Sequence, residues 1–384
     1  MTNLDNNFRT ASLETANRAR AKFEAILDRG RARGEEVIKR LEQRPVDRIV
    51  NTKAITFEPS EKPNDESTAV DEYTTPSGIV VNIDNERLDM HRHAMNQAVT
   101  RTKILTPGMA KKIMNVNQPW AREMLADVMN KTYQNIAPQR TLMREVEGEV
   151  RGVLSDKYRR MGSGPIFDAF VRSSMALGAV PTDGKALDTK NTLTMMLPEI
   201  FEPIPNEVML FGATLSNSDF GDGALSLKIS VLRVWCSNMC TRDECMRKVH
   251  LGKRLDEDMT FSERTYRLDT ETNASAVQDV ITANMNIDRV NEQMALISAA
   301  AEKEVNVNAV FKNLQKTGKI SKSEQKQLVD TYNTPDVEML PPGNNLWRAS
   351  NTLSLFAQDE GVSNYRSFQL QQMAGDMLDT VVTA

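Results

Sequence analysis

From Leu225 to Val231 the chain alternates apolar Leu225, Leu227, Ile229 and Val231 with polar Ser226, Lys228 and Ser230. Side chains along a strand point to opposite faces with a period of two. This run, within a strand predicted over 224–235, therefore dictates one buried and one wet face. A strand of that kind needs partners. Thr192 to Leu197, stopped by Pro198, and Val208 to Leu215, running into Ser216-Asn217-Ser218-Asp219, read as two of them. Thr141 to Val146 and Val150 to Leu154 read as a hairpin with Glu147-Gly148 near its turn.

Helical periodicity surrounds these strands. Pro119 and Glu123 open a helix expected to carry Met124, Leu125, Val128 and Met129 on one face. Ile166 to Leu177 has helical spacing and stops at Gly178. Residues 259–303 keep one long polar–apolar pattern without proline. Residues 306–332 read as two short helices about Thr317-Gly318-Lys319, with Ser321 and Glu324 at capping-box spacing. The expected fold is α+β: a curved antiparallel β-sheet flanked by helices, with a largely helical C-terminal half.

Charge divides the chain further. Residues 1–50 hold 11 Lys+Arg against 8 Asp+Glu, with apolar spacing broken by Gly30 and Gly34. They read as a basic N-terminal arm of two short amphipathic helices, or one frayed at its glycines. Residues 51–90 read as an acidic, Pro-containing, poorly ordered tether, since 55–90 carry 9 acids against Lys62 and Arg87. An α+β core is expected over 91–258, and a helical region packing on it over 259–384.

Whole-chain composition narrows the class. With 48 Lys+Arg, 52 Asp+Glu and a net charge of -4, the chain is no uniformly polybasic binder. No apolar run reaches the ~18 residues of a membrane span, and the first residues lack a signal-peptide pattern. Three cysteines make no disulfide framework, so a reducing cytoplasm is expected. Walker, dinucleotide and nucleophile-elbow patterns are absent, and no cofactor is expected.

Residues 91–160 reverse the sign with 13 Lys+Arg against 6 Asp+Glu. Arg140, Arg144, Arg151, Lys157, Arg159 and Arg160 form a candidate nucleic-acid surface, with Tyr158 exposed for base stacking because Lys-Tyr-Arg-Arg is highly charged. The competing reading is a solvated face whose charges pair internally. Trp235 and Trp347 read as core. Cys236, Cys240, Cys245 and His250 lie within 15 residues, but without a tight C-x2-C knuckle they read as structural rather than zinc-binding. His91 with His93, and Asp219 with Asp222 beside Asn217, are weaker metal candidates, and no metal site is assigned.

Several motifs together resemble a phage- and plasmid-borne family catalogued as a domain of unknown function. They are the Gly148 to Tyr158 segment with its Ser155-Asp156-Lys157-Tyr158 turn, Leu197-Pro198-Glu199, Asn217-Ser218 with Gly221, Arg233 with Cys236 and Asn238, the later His250, and Trp347 with Asn351. The resemblance covers residues 140–360 in order. It departs where Asn238 is followed by Met239 rather than Gly, and Cys240 and Cys245 lie outside it. It implies a mobile-element setting, and hence the host cytoplasm.

Three functions follow as expectations. The first is a non-catalytic nucleic-acid-binding protein, favouring single-stranded DNA or strand annealing in phage replication and recombination. Homo-oligomerisation would extend its basic groove. The second is a protein-interaction module that inhibits or redirects a host factor in defence evasion. The third is a metal-dependent nuclease built on Asp156, Asp219, Asp222 or His250.

Overall fold

The structure is a computed structural model describing residues 13–60, 76–116, 118–135, 140–236, 238–248, 250, 261–334, 339–359 and 361–381. Helix α1 spans Leu13–Glu42 without a break. Then come β1 (Val46–Asn51), β2 (Thr56–Pro59), β3 (Pro76–Ile83) and β4 (Glu86–His91), with helices α2 (Arg92–Arg101), α3 (Pro107–Met114) and α4 (Pro119–Tyr133). The predicted hairpin forms as β5 (Arg140–Val146) and β6 (Glu149–Ser155), its turn held by positive φ at Glu147 and Gly148. These strands make a six-stranded sheet in the order β1-β5-β6-β4-β3-β2, antiparallel except where β4 runs parallel to β6. Helices α2 to α4 cover one face through Ala94, Met95, Ala98, Met114, Leu125, Met129 and Tyr133.

A second sheet follows α5 (Ser163–Ala176). It is built from β7 (Val180–Ala186), β8 (Asn191–Met196), β9 (Phe201–Ile204), β10 (Glu207–Asn217), β11 (Leu225–Arg233) and β12 (Asn238–Lys248). Its order is β12-β11-β10-β8-β7, with β9 also paired to β10. The remaining helices are α6 (Glu263–Asn284), α7 (Ile287–Glu302), α8 (Val307–Lys316), α9 (Lys322–Tyr332), α10 (Leu346–Phe356) and α11 (Asn364–Leu378). Val277, Ile281, Met294, Phe311, Leu328, Trp347 and Leu370 from these helices join Leu225, Leu227, Ile229 and Val231 in the largest core. The long 259–303 pattern breaks at Met285, where Asn286 caps α7. The Ser321–Glu324 capping box forms as expected.

The α+β class holds, but four expectations are corrected. The single sheet is two sheets, and the 91–258 core boundary cuts through the first of them. Residues 51–60 and 76–90, expected as tether, supply β2, β3 and most of β4. Their Phe57, Ile79, Val81, Ile83, Leu88 and Met90 pack in the core, while Glu58, Asp84 and Glu86 are exposed; residues 61–75 lie outside the described residues. The expected wet face of β11 is buried. Thr194, Thr214 and Ser230 form a hydroxyl ladder across β8, β10 and β11 at 2.8 and 2.6 Å, so polarity is satisfied internally rather than by water.

Over the described part of the arm, Leu13–Glu42 is one unbroken helix rather than two, and it does not fray at its glycines. A Cβ on Gly30 would lie 2.4 Å from Pro181 O and Thr182 Cα, and one on Gly184 would lie 2.9 Å from Arg33 O. Gly30, read from sequence as a helix breaker, is where α1 meets β7 backbone to backbone, while Gly34 packs against the Pro181 and Leu193 side chains. Tertiary packing therefore overrides their poor helix propensity.

Candidate functional site

Two polar clusters and one exposed apolar face are the sites that could act. The expected nucleic-acid residues fall largely in the first cluster, where the sheets meet. Loop residues 218–223 after β10 press into the first sheet. The Phe220 carbonyl accepts from Gln97 Nε2 at 2.8 Å, and Gln97 Oε1 accepts from Val153 N at 2.7 Å. A Cβ on Gly221, which has φ of 77°, would lie 2.7 Å from Leu154 Cδ2, so glycine is required by both conformation and space.

Arg144 on β5 is buried beneath this loop. Its Nε donates to Asp47 at 2.7 Å and its Nη1 to the Asp219 carbonyl. Burial alone would weaken its charge, but Asp219 and Asp47 outweigh that and hold its pKa above the ordinary value. Burial pushes the Asp219 carboxyl up, although Arg144 and the Ser163 N–H at the start of α5 oppose it. Arg160 pairs with Asp47 at 3.1 Å and Glu263 at 2.9 Å, and Arg159 forms a two-bonded pair with Asp269. Arg151 meets Glu149 at 2.9 Å and Asp188 at 3.8 Å. His91 beside Asp188, with Arg40 and Arg151, takes that carboxyl down to about 2 against its burial.

The cationic surface expected from sequence is therefore corrected. Arg144, Arg151 and Arg160 are buried in ion pairs, Arg159 is paired, and Lys157 and Arg140 are half-buried. Their partners Asp47, Asp188, Glu263 and Asp269 come from distant segments, which local charge counting cannot see. Tyr158 is buried too. Its ring stacks on His250 with centroids 5.1 Å apart and its hydroxyl donates to the Ser218 carbonyl at 3.3 Å. Charged neighbours do not keep a tyrosine at the surface when Arg159 and Arg160 beside it are paired with Asp269, Asp47 and Glu263.

The family-like motifs gather in two places. Asn217, Ser218, Gly221, Tyr158 and His250 meet at the sheet junction, where Ser218 Oγ donates to Thr189 O and accepts from Asp222 N at 2.8 Å. Ser155 and Asp156 form the turn leading in, joined at 3.3 Å. In the second cluster, Arg233 donates to Glu207 at 2.6 and 2.8 Å and to Cys236 Sγ at 3.2 Å. Trp347 Nε1 reaches Glu207 at 3.4 Å, Asn351 donates to the Trp347 carbonyl at 2.9 Å, and Asn238 opens β12 opposite Arg233. Asn217, Ser218, Tyr158, His250, Glu207, Arg233 and Trp347 are buried and hydrogen-bonded within their clusters, while Ser155 and Gly221 are exposed and Cys236 is half-buried.

The metal candidates separate. Cys240 Sγ lies 3.4 and 3.5 Å from the Ser350 and Ser354 hydroxyls on α10, while His250 faces Arg159 O and Asn217. His91 caps α2, His93 Nε2 lies 3.1 Å from the Phe220 carbonyl, and Asp222 accepts from Thr189 at 2.7 Å. Among the described residues, no three His, Cys, Asp or Glu side chains assemble as a metal site, and no helix is long and apolar enough to cross a membrane.

The exposed face lies on α3 and α4 and was missed from sequence. Ala110, Met114, Ala121, Leu125 and Met129 turn inward, while Met109, Val116, Trp120 and Met124 point out at 48, 44, 55 and 41% exposure. Ile104, 65% exposed, precedes α3. Five of the twelve large exposed hydrophobic side chains among the described residues thus fall within 104–124. Trp235 and Trp347, at 9 and 1%, are core as read. The end of α3 and the start of α4 converge over Gly78, whose Cβ position lies 2.0 Å from Met114 Cε and 3.5 Å from Arg122 Cδ. Lys103, Lys111, Lys112 and Lys131 are exposed on the same helical layer, with Glu123 and Asp127. The available signal was that Met124 and Leu125, one residue apart, cannot both face a narrow buried stripe.

Comparison with family models, curated proteins and solved structures finds no significant match. The resemblance to the phage- and plasmid-borne family rests on the motif residues alone.

Proposed function

We propose that this protein is a non-catalytic interaction module that docks a macromolecular partner on the α3–α4 face. The observation that carries this reading is Trp120, the one exposed tryptophan of three, set among exposed Ile104, Met109, Val116 and Met124. Exposed apolar side chains concentrated in one short stretch of chain, 104–124, mark a candidate interaction surface, and Trp is among the residue types enriched at binding hot spots. In the mobile-element setting implied by the motifs, the partner is a host factor that the protein inhibits or redirects in the host cytoplasm.

The test compares the wild type with Trp120→Asp/Met124→Asp in affinity capture from nuclease-treated host lysate. One protein retained in stoichiometric amount by the wild type and lost by the variant, at unchanged circular dichroism and Tm, is expected. Equal retention by both would remove this face from the function.

Single-stranded nucleic acid is the second reading. It is favoured by Trp120 standing on the same helical layer as Lys103, Lys111 and Lys112, since single-strand binders pair cations with stacking rings. Salt-sensitive binding of fluorescent single-stranded DNA, lost in Trp120→Ala, would favour it; an oligomer in size exclusion would then make annealing the next assay.

A further inference from the structure

Resting on the docking reading above, we infer that the α3–α4 face takes an acidic amphipathic helix from its partner. Two independent features select that occupant. The first is the closed sheet edge beside the face. Strand β2 ends the first sheet, and an extended peptide could add to it only through free backbone groups. Asn130 of α4 occupies them: its Oδ1 accepts from Phe57 N at 2.7 Å, and its Nδ2 donates to Phe57 O at 2.8 Å. Strand addition is blocked there. What remains is packing against side chains from two helices and the turn between them, the geometry that receives a helix laid by its apolar face.

The second feature is the sign of the rim. The whole chain carries a net charge of -4, yet Lys103, Lys111, Lys112 and Lys131 are exposed on this layer against Glu123 and Asp127. A helix with Asp and Glu flanking its apolar stripe is attracted here and disfavoured by the net acidic remainder of the surface. That orients encounter as well as strengthening it. Met109 and Met124, unbranched and polarisable, adapt to an apolar stripe of varied shape.

The experiment uses the full-length protein and two designed amphipathic peptides lacking tryptophan. They share a Leu/Phe face and carry either Glu or Lys on their flanks. Emission and acrylamide quenching are recorded for the wild type and Trp120→Phe, so that the difference isolates Trp120. The Glu peptide is expected to shift Trp120 emission to the blue, shield it from quencher and lose affinity several-fold as salt is raised. The Lys peptide is expected to bind several-fold more weakly, and Lys111→Glu/Lys112→Glu, with unchanged circular dichroism, to reverse the preference.

Equal binding of both peptides, or preference for the Lys peptide, overturns the acidic-helix inference and leaves the docking reading standing. Shielding of Trp120 by single-stranded DNA but by neither peptide overturns the inference in favour of nucleic acid. Shielding that rises with protein concentration alone overturns it in favour of a second copy of this chain. Full quenching under every condition overturns the inference and the docking reading together.

Discussion

His250 Nε2 stands 2.9 Å from Asn217 Oδ1, while the opposite ring nitrogen stands 3.0 Å from the Arg159 carbonyl. Both neighbours are acceptors, because the Asn217 amide nitrogen is directed to the Met161 carbonyl and Ser163 Oγ at 3.2 and 3.0 Å. An imidazolium would satisfy both contacts, and a neutral ring only one. Burial opposes the charge and the hydrogen bond to the Arg159 carbonyl favours it, while the Arg144 and Arg159 guanidinium charges oppose it and Asp269 favours it. The balance takes His250 from 6.5 down to about 4, leaving the ring neutral at pH 7.

The sign of the pH dependence follows. Between about pH 4 and 6.5 the unfolded chain binds a proton at His250 that the folded chain refuses. Stability from this group is complete above the unfolded pKa, falls as pH drops through the window, and is gone below about pH 4. The span corresponds to about 3 kcal/mol. Burial also lowers His93, so the two histidines act in the same direction. Urea unfolding of the wild type and His250→Gln across this range is the check. The variant should show a visibly flatter pH profile. Identical slopes would mean that the two acceptors hold the ring at its ordinary pKa.

Arg160 provides a separate test of how the basic cluster is used. Its guanidinium bridges Asp47 and Glu263 and lies 4.6 Å from the centroid of the Tyr266 ring. Arg160→Ala leaves half-buried Asp47 beside Arg144 with one partner fewer. A loss of about 1–3 kcal/mol in denaturant unfolding is expected, less than for a fully buried pair because Asp47 keeps some contact with water. The salt dependence of any DNA binding should not change. A stable variant with a shallower salt slope would return Arg160 to the surface role read from sequence.

How much was legible follows from the range of each signal. The β11 strand, the β5–β6 hairpin and the Ser321–Glu324 box rest on local patterns, and each element formed where its residues placed it, although the face of β11 expected to be wet is largely buried. Strands β7 and β9 were not legible. Val180–Ala186 holds Pro181, Asp183 and Gly184, which lower strand propensity, and it is held by α1 from 150 residues away in sequence through Arg33 and Asp183. The junction site failed for the same reason. Asp47, Asp219 and Asp269 neutralise Arg144, Arg159 and Arg160 only after the sheets have met. The face around Trp120 was partly readable, because α4 carries more apolar positions than its buried stripe can use.

The contact between α1 and β7 makes two glycines in one helix predict opposite outcomes. Ala in place of a helical Gly gains about 1 kcal/mol of helix propensity. At Gly34 the new Cβ would meet Pro181 Cβ at 3.5 Å, ordinary contact, so Gly34→Ala should be neutral or raise Tm. At Gly30 it would lie 2.4 Å from Pro181 O and Thr182 Cα, which are backbone atoms unable to rotate away. Gly30→Ala should lower Tm despite the same propensity gain. Differential scanning calorimetry of the two variants decides it, and equal shifts would contradict the close packing of α1 on β7.

The Glu207–Arg233 pair yields the sharpest prediction on the second cluster. Both side chains are buried, and the guanidinium meets the carboxylate through two hydrogen bonds at 2.6 and 2.8 Å. Burial works against the Arg233 charge, but Glu207 and Cys236 more than restore it. Glu207→Gln leaves a desolvated cation and weakens the acceptor of Trp347 Nε1, so a loss of about 3–5 kcal/mol is expected. Joining it to Arg233→Met removes the stranded charge, and the double variant should be more stable than Glu207→Gln alone. A double-mutant cycle by urea unfolding measures the coupling. Additive losses would mean that the two charges do not depend on each other. A large positive coupling would mean that this motif stabilises the end of β10 and β11 beneath α10, where Trp347 seals the pair from water.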